Sequence, residues 1–150
     1  MDWRDIAKHT DEAIMGFFGP YRWMSNFHLT PIQFDGRVYP ATENAYMAAK
    51  CKMHTQRVVF ENCAPKVAKA EGKVVVLRDD WEQVKFDIMY QLNKQKFEFN
   101  PDLRDRLLAT GDKYIEETNW WGDRIWGVCN GTGENNLGKI LMRIRKELKG

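Results

Sequence analysis

The sequence predicts an α+β fold, a helix-rich single domain with a small sheet. Predicted helices outnumber strand candidates, and the strands are short and do not alternate with helices in βαβ order. The length of 150 residues suits one domain with its own hydrophobic core, and no internal repeat, linker or low-complexity segment divides it. These observations favour helices packed around a small sheet rather than a parallel α/β fold.

The chain begins with a polar extension, followed by a strand and a hairpin. Residues 2–13 are polar with a weak helical period, and we interpret them as an extension before a domain spanning 14–150. The apolar run IMGFF then predicts a short strand. The segment PIQFDGRVYP alternates around Asp35-Gly36, which is the signal for a two-residue primed turn between antiparallel strands.

Helices account for most of the remaining chain. They are predicted after Thr42, at Pro65–Gly72, at 79–97, at Pro101–Ala109 and at about Asn136–Leu148. Thr42 is a fair N-cap, and Glu43 complements the helix dipole in the first turn. The apolar period makes 79–97 the longest amphipathic helix, while KYIEET predicts one more strand.

Charge and cysteine content exclude several classes of protein. Lys and Arg total 23 against 21 Asp and Glu, and a net charge of +2 is low for a protein with a stable nucleic-acid partner. The chain has no signal-peptide pattern and no apolar run long enough for a membrane span, so a cytoplasmic location is expected. Three cysteines without a CxxC pair suit a reducing compartment. Cys51 and His54 lack a second ligand pair, so neither a metal nor another cofactor is expected.

The segment from Gly133 to Lys139 fits the phosphate-loop pattern GxxxxGK without being one. Ile140 stands where that motif needs a hydroxyl for Mg²⁺, and only ten residues follow it, too few for an NTPase sheet. The glycines nevertheless predict accessible backbone amides just before a helix N-terminus. Such a site favours a phosphate or a polar sugar.

Glu43 and Lys50 are the first candidates for chemistry. They lie seven residues apart on one predicted helix, so both project from the same face. Solvated surface charges are the simplest alternative for such a pair. The neighbouring residues Tyr46, Ala48 and Ala49 make this helix mostly apolar, however, and that favours charges facing a cleft.

Aromatic residues are abundant, with six Trp, eight Phe and five Tyr, and most must fill the core. Trp81 and Lys85 lie one turn apart and could offer a ring for stacking and an ammonium for phosphate. A core tryptophan beside a snorkelling lysine is an equally good interpretation. Asp123 lies inside the Trp-rich and Gly-rich segment NWWGDRIWG, and Ser25 and Asn26 lie between two aromatic residues. Together these residues suit a nucleotide-like ligand.

Five motifs, in order and at natural spacing, carry a family resemblance. They are MSNFH (24–28), PATENAYMAAK (40–50), WEQVKFDIM (81–89), KFEFNPDLRDRLLATGD (96–112) and DRIWGVCNGTGENNLGKILMRIR (123–145). The chain resembles the NADAR superfamily, also called YbiA-like, over nearly its whole length after residue 14. The resemblance implies an N-glycosidase that cleaves the bond between ribose and a nitrogenous base or amine. Substrates proposed for the family are phosphorylated ribosylamino-pyrimidine intermediates of riboflavin synthesis and ADP-ribose attached to guanine.

The resemblance and the residues together assign roles. Glu43 is the expected acid or base, Asp123 holds ribose hydroxyls or stabilises positive charge, and Lys50 or Lys85 is a possible nucleophile. The expected substrate-binding residues are Ser25, Asn26, Trp81, Lys85, Trp126, Gly127, Asn135, Gly138 and Lys139. In this set Trp81 and Trp126 stack the base, Asn26 reads its edge, and Asn135 with the Gly138 helix start receives phosphate.

Two positions depart from the family pattern, and two other functions stay open. Asn44 replaces the usual His after Glu43, and Cys129 replaces the second Gly of the WGxG element, which puts the substrate preference in doubt. A non-catalytic ADP-ribose or NAD-binding module would use the same pocket, although Glu43 would repel an anionic ligand. A single-strand nucleic-acid module would need a basic groove. The expected partner is therefore a small nucleotide-like substrate or an ADP-ribosylated nucleic-acid base, with no membrane.

Overall fold

The fold is α+β, as predicted, and a computed structural model describes it for residues 2–150. The helices are α1 (Thr42–Lys50), α2 (Pro65–Glu71), α3 (Trp81–Glu98), α4 (Pro101–Ala109) and α5 (Asn136–Leu148). The strands are β1 (Lys8–His9), β2 (Ala13–Met15), β3 (Leu29–Phe34), β4 (Arg37–Ala41), β5 (Tyr114–Glu116), β6 (Thr118–Asn119) and β7 (Val128–Cys129). Three 3₁₀ helices, at Trp3–Asp5, Gly19–Met24 and His54–Glu61, were not predicted from the sequence. The described helices include none that is both long and apolar enough to cross a membrane.

The chain folds into two compact units. The first combines the described residues up to Ser25 with Phe97–Gly150, and the second is Asn26–Lys96. In the first unit, β2 lies between β1, which is antiparallel to it, and β5, which is parallel to it. A second pair, β6 and β7, is parallel. The boundary predicted between residues 13 and 14 falls inside β2, so that part of the expected extension joins the sheet.

Helix α5 packs on the sheet of the first unit through its apolar face. Leu137, Leu141 and Ile144 are completely buried, as are Ile14 of β2 and Ile115 of β5. Burial of these branched side chains stabilises the unit by about 1.5 to 3 kcal/mol for each one fully removed from water.

The second unit is built on the predicted hairpin. Strands β3 and β4 pair antiparallel with Phe34 opposite Arg37. The two turn residues, Asp35 and Gly36, have φ angles of 49° and 79°. A primed turn needs positive φ at both central positions, which glycine adopts freely and aspartate tolerates. The hairpin prediction is therefore confirmed down to its turn type.

Helix α1 follows the hairpin directly and begins one residue earlier than predicted. Its N-cap is Ala41, which offers no side-chain cap, and Thr42 is already helical and fully buried. The predicted Thr42 cap is therefore wrong. The main-chain carbonyl of Asn26 accepts the N–H of Glu43 at 3.0 Å, and this bond satisfies a first-turn amide from outside the helix.

His9 gives the first unit a pH-dependent stability. Both of its ring nitrogens are buried without a hydrogen-bond partner in the described part of the chain, and its ring meets Tyr21 edge-on at 4.7 Å. Burial, reinforced by the positive charge of Lys113, lowers the pKa of His9 below 6.5. In the unfolded chain His9 takes up a proton near pH 6.5, whereas in the native protein its lowered pKa keeps it neutral to a lower pH. The contribution of His9 to stability is therefore fully present above about pH 6.5 and declines as the pH falls.

We predict that His9→Phe, which keeps the edge contact with Tyr21, weakens this pH dependence. Urea unfolding of the parent and the variant, each at about pH 7 and about pH 5.5, measures it. The parent should lose more unfolding free energy between the two pH values than the variant does. Equal losses would show that protonation of His9 does not oppose folding.

Candidate active site

Helix α1 carries Glu43 and Lys50 into an interior position. Every residue of the helix from Thr42 to Ala49 is buried. The alanines at 45, 48 and 49 allow neighbouring segments to approach closely, because their side chains occupy little space. The interpretation of Glu43 as a solvated surface charge is therefore wrong, and its placement in a functional site stays a prediction.

Glu43 is only 7% exposed. It lies in the first turn of α1, where the hydrogen bond between its N–H and the carbonyl of Asn26 ties the helix start to the SNF segment. A carboxyl group removed from water in this way is costly unless the protein or a ligand interacts with it. This main-chain hydrogen bond therefore fixes the backbone of Glu43 next to Asn26.

Lys50, at the end of α1, is half-buried and held by the end of α2. Its Nζ donates to the carbonyl of Gly72 at 3.0 Å and lies 3.7 Å from the sulfur of Met47. Burial lowers the pKa of the Lys50 ammonium, whereas the negative charge of Glu43 acts in the opposite direction. The two predicted catalytic residues of α1 are therefore electrostatically coupled, and the amine is easier to deprotonate than an ordinary lysine.

A buried amide pair lies beside the start of α1 and was not predicted as a unit. Asn93 of α3 donates from Nδ2 to the Oδ1 of Asn26 at 3.4 Å and to the carbonyl of Met89 at 3.1 Å. Asn26 in turn directs its Nδ2 to the sulfur of Met89 at 3.4 Å. Within residues 2–150, the Oδ1 of Asn93 finds no hydrogen-bond partner although it is buried. An orphaned acceptor of this kind calls for a donor from water or ligand.

The sequence did contain a signal for Asn93. It lies four residues after Met89, on the side of α3 that the apolar period assigns to the core, and a polar residue at such a position needs a reason. Lys96 is three residues further along the same helix and is completely buried. Fully buried lysines are rare and are compensated by their surroundings. Asn93 and Lys96 are therefore further candidate functional residues.

Trp81 and Lys85 have structural partners. The ring of Trp81 is 5% exposed and packs against Tyr46 of α1, with centroids 5.0 Å apart. The Nζ of Lys85 forms an ion pair with Glu82 at 2.7 Å. These contacts agree with the alternative of a core tryptophan beside a snorkelling lysine. The base-stacking and phosphate-binding roles of the two residues stay predictions.

Asp123, in the first unit, shapes the loop that contains Trp126. Its Oδ1 accepts the N–H groups of Ile125 at 3.1 Å and Trp126 at 2.9 Å. Asn119 braces the same turn, donating from Nδ2 to the Asp123 carbonyl at 2.9 Å and accepting the Asp123 N–H at 3.1 Å. The loop is thus ordered by its own side chains, and the predicted contact of Asp123 with ribose stays a prediction.

The glycine-rich segment is more closely packed than the sequence suggested. Asn135, with a positive φ of 55°, accepts the N–H of Glu117 at 3.0 Å and donates to the carbonyl of Ile115 at 2.9 Å, so its side chain clamps β5. The N–H groups at the start of α5 are occupied, whereas Gly131 and Gly133 are exposed, so the expectation of accessible glycine amides stays a prediction. The N–H groups of Asn136 and Leu137 already donate, at 3.2 and 2.9 Å, to the carbonyls of residues 125 and 126.

Close packing also explains the glycines of this segment. A Cβ at Gly138 would collide with the carbonyl of Ile115 and with the side chain of Asn135, and a Cβ at Gly127 would collide with the carbonyl of Glu117. Lys139 is exposed. The predicted binding roles of Gly127, Asn135, Gly138 and Lys139 remain untested, but the first three have a packing role that is sufficient to explain them.

Ser25, Asn44 and Cys129 have contacts within the protein, and the predicted binding role of Ser25 stays a prediction. Ser25 is half-buried, and its Oγ accepts from Arg22 at 3.4 Å. Asn44 is completely buried and donates to the carbonyls of Phe60 at 2.9 Å and Cys63 at 2.8 Å. Cys129 is buried in β7. Asn44 therefore links α1 to the segment that contains Phe60 and Cys63.

Glu116 is a second buried carboxylate that the sequence placed only on a strand. It is 6% exposed and accepts hydroxyl hydrogen bonds from Tyr114 at 3.0 Å and from Thr118 at 2.6 Å. Burial, together with this acceptor, raises the pKa of Tyr114. Among residues 2–150 there is no group of three or more His, Cys, Asp or Glu side chains placed to hold a metal ion.

Comparisons with known proteins agree with this architecture. The family model described as the NADAR domain matches residues 11–149. N-glycosidase YbiA of Shigella boydii is 34% identical over 91% of this chain and 89% of its own length. A riboflavin biosynthesis protein of Vibrio vulnificus is 29% identical over 97% of this chain, which spans 41% of that protein. The NMR structure of Escherichia coli YbiA aligns with a TM-score of 0.83 and 32% identity, covering 95% of this chain and 88% of that one.

We predict that Gly138→Ala destabilises the first unit. Alanine favours a helix by about 1 kcal/mol over glycine, but the collision with the carbonyl of Ile115 should cost about 1 to 3 kcal/mol and exceed that gain. Thermal and urea unfolding measure the change, and Lys139→Ala, at the exposed neighbouring position, is the control. A Gly138→Ala protein as stable as the parent would argue against tight packing of α5 on β5.

Proposed function

This chain belongs to the NADAR domain family, and on that premise we propose that it is an N-glycosidase acting on a phosphorylated, nucleotide-like substrate. The bond cleaved joins ribose to a nitrogenous base or amine. The observation that carries the proposal is the burial of the Glu43 carboxyl group on the same helix as the half-buried Lys50, whose Nζ donates to the carbonyl of Gly72 at 3.0 Å. We consider two substrates, ADP-ribosylated guanine and a ribosylamino-pyrimidine phosphate of riboflavin synthesis.

The names of the relatives support the reaction class more strongly than the substrate. The Shigella protein is named an N-glycosidase and matches over most of both chains. The Vibrio protein is named for riboflavin biosynthesis, but this chain spans only 41% of it. The second substrate therefore rests on a relative with additional sequence, and the two substrates have to be distinguished by experiment.

Glu43 is assigned acid and base chemistry. Cleavage of an N-glycosidic bond passes through an oxocarbenium-like centre at C1, so the departing base needs a proton and C1 needs a nearby anion or nucleophile. A carboxyl group that is 7% exposed suits proton transfer, because little water competes with the substrate for it. In the direct route, Glu43 then deprotonates the water that attacks C1.

Lys50 provides a covalent alternative to direct water attack. Its neutral Nζ would bond to C1 as the bond between C1 and the base breaks, and the base would leave with a proton from Glu43. Opening of the ribose ring gives a Schiff base, which water hydrolyses to release the sugar and restore the amine. Burial lowers the pKa of Lys50, and this shift is in the direction that favours the neutral amine this route needs.

The remaining residues are assigned to binding and positioning. Asn26 reads the base edge, and Asn93 positions Asn26 through the hydrogen bond between their side chains. Asp123 binds ribose hydroxyls, and Trp126, from the loop that Asp123 orders, stacks on the base. No cofactor takes part. We place the protein in the cytoplasm, because its three cysteines are free and thiols persist in a reducing compartment.

Product analysis tests the proposal. The protein is incubated separately with ADP-ribosylated guanosine, the ribosylamino-pyrimidine phosphate, NAD and free ADP-ribose, and released base or amine is identified by mass spectrometry. Release from one of the first two supports the reaction and selects the substrate. Binding of ADP-ribose or NAD without any released base would instead indicate a non-catalytic binding module.

We predict that Glu43→Gln abolishes turnover while the dissociation constant of the substrate stays within about tenfold of the parent, because the shape survives and the acid is lost. Single-turnover assays and equilibrium binding separate the two effects. Glu71→Gln, which alters an exposed carboxylate in the same unit, is the control and should keep full activity. A Glu43→Gln enzyme with near-normal kcat would remove Glu43 from the mechanism.

We predict that cyanoborohydride added during turnover traps a sugar on Lys50 and not on Lys85, whose ammonium is paired with Glu82. Peptide mapping locates the adduct. Lys50→Arg cannot form it and should lose at least about 100-fold in kcat, since general acid catalysis alone would remain. If no adduct appears and Lys50→Arg retains substantial activity, the direct water route is correct.

A further inference from the structure

One face of α3 is buried along the helix and includes a lysine. It consists of Trp81, Met89, Asn93 and Lys96, each at most 5% exposed. At 3.6 residues per turn these side chains lie within about one third of the helix circumference. Lysine is almost never buried completely without a partner, yet Lys96 is 0% exposed. The ammonium of Lys96 therefore has to be compensated inside the protein.

This face of α3 meets the segment that holds the start of α1. The sulfur of Met89 accepts from the Nδ2 of Asn26 at 3.4 Å, and the Nδ2 of Asn93 donates to the Oδ1 of Asn26 at 3.4 Å. The main-chain carbonyl of Asn26 accepts the N–H of Glu43 at 3.0 Å. Lys96 follows Asn93 by three residues on the same face, so it extends this face beside the Glu43 end of α1.

Glu43 is the buried carboxylate of the same unit. It is 7% exposed, and no other Asp or Glu is buried within 26–96, all of which the structure describes. The other carboxylates of the unit are half-buried or exposed, and most pair with basic residues: Asp35 with Arg57, Glu61 with Arg37, Asp79 with Lys52, Asp80 with Arg78 and Glu82 with Lys85. A buried ammonium and a buried carboxylate are each costly alone and compensate each other as neighbours.

The charged groups on the other elements packed against α1 have contacts of their own. Lys50 donates to the carbonyl of Gly72 and also interacts electrostatically with Glu43. Lys69 of α2 lies 5.9 Å from the ring centroid of Phe27. The remaining groups are His54 and Arg57, which contact Asp35 at 3.1 and 2.7 Å, Arg37, which contacts Glu61 at 3.2 Å, Tyr39, whose pKa is raised by burial, and the exposed Lys66 and Glu71. Lys96 is the most deeply buried of these cations, so its charge is the least screened by water.

We propose that Lys96 forms a buried ion pair with Glu43 and is a positioning residue for the reaction. The ion pair follows from the structure, while its catalytic consequence rests on the proposed function. A carboxyl group buried without a cation holds its proton too firmly to act as a base, because burial disfavours the charged form. With the ammonium of Lys96 beside it, Glu43 can both give a proton to the departing base and take one from water.

Carbon NMR of the carboxyl groups tests the ion pair on the full-length protein without substrate. The signal of Glu43 is identified as the one missing from Glu43→Gln. Lys96→Met keeps the length of the side chain and removes its charge, so the pKa of Glu43 should be higher than in the parent by at least about 1. Lys94→Met removes the half-buried lysine two positions earlier on α3 and is the matched control, which should change this pKa by less than about 0.3.

The same pair is measured from the lysine side, so the test stands even if Lys96→Met does not fold. Glu43→Gln removes the anion, and the pKa of Lys96, measured from its Cε signal, should be lower than in the parent. Removing one member of a buried pair should also destabilise more than removing both, so Lys96→Met should have a lower Tm than Lys96→Met/Glu43→Gln.

Kinetics test the catalytic consequence. In the pH profile of kcat/KM, the limb that reports Glu43 should move to higher pH in Lys96→Met and stay in place in Lys94→Met. The titrations need no substrate, so an inactive parent would count against the proposed function while the titrations still decide the ion pair. The proposal is overturned if Glu43 titrates alike in the parent and Lys96→Met, if Lys96 titrates alike in the parent and Glu43→Gln, or if the double variant is no more stable than Lys96→Met.

Discussion

Burial of α1 along its length is the constraint on which the candidate site depends. A helix enclosed in this way can carry ionisable groups only if its surroundings compensate them, and the surroundings here are specific. The carbonyl of Asn26 takes the first-turn N–H of Glu43, Asn44 braces the interior side, and the carbonyl of Gly72 receives the ammonium of Lys50. Each contact comes from a different part of the chain, so the helix is positioned by the whole second unit rather than by its own caps.

The loops of the first unit are held in place in a different way. Side-chain amides and carboxylates of its loops bind the main chain, as Asp123 does at Ile125 and Trp126 and as Asn135 does at β5. Such bonds satisfy backbone groups that regular secondary structure leaves unpaired. Glycines then appear where two main chains approach too closely for a Cβ. A segment with this composition resembles a phosphate loop in sequence, while the N–H groups of Asn136 and Leu137 already donate to carbonyls within the protein.

Much of the fold could be predicted from the sequence. The hairpin turn at Asp35, and helices α4 and α5 to their end residues, follow from local signals: positive φ, proline at a helix start and apolar period. The 3₁₀ helices were missed, although Pro20 stands at the start of the one at Gly19–Met24. The location of Glu43 and Lys50 on one helix was also predictable, because a spacing of seven residues places both side chains on the same face of a helix.

Tertiary partners could not be predicted in the same way. The acceptor of the Glu43 N–H at the start of α1 is the carbonyl of Asn26, the packing partner of Trp81 is Tyr46, and Asn93 bonds to a residue 67 positions away. No local pattern contains these contacts, since each depends on how distant segments meet. The close packing around Gly127 and Gly138 could not be predicted for the same reason. The sequence shows that glycine at these positions can adopt many backbone conformations. The atoms that approach each glycine are known only from the structure.

The bond between Lys50 and Gly72 has a kinetic consequence for the proposed covalent route. The Gly72 carbonyl accepts a hydrogen from the free lysine at 3.0 Å. Forming a Schiff base leaves the lysine nitrogen with fewer hydrogens to donate, so this bond is weakened or lost while the sugar is attached. Hydrolysis of the intermediate restores it. In the proposed covalent route, regaining this hydrogen bond to the end of α2 would favour hydrolysis of the adduct over its persistence.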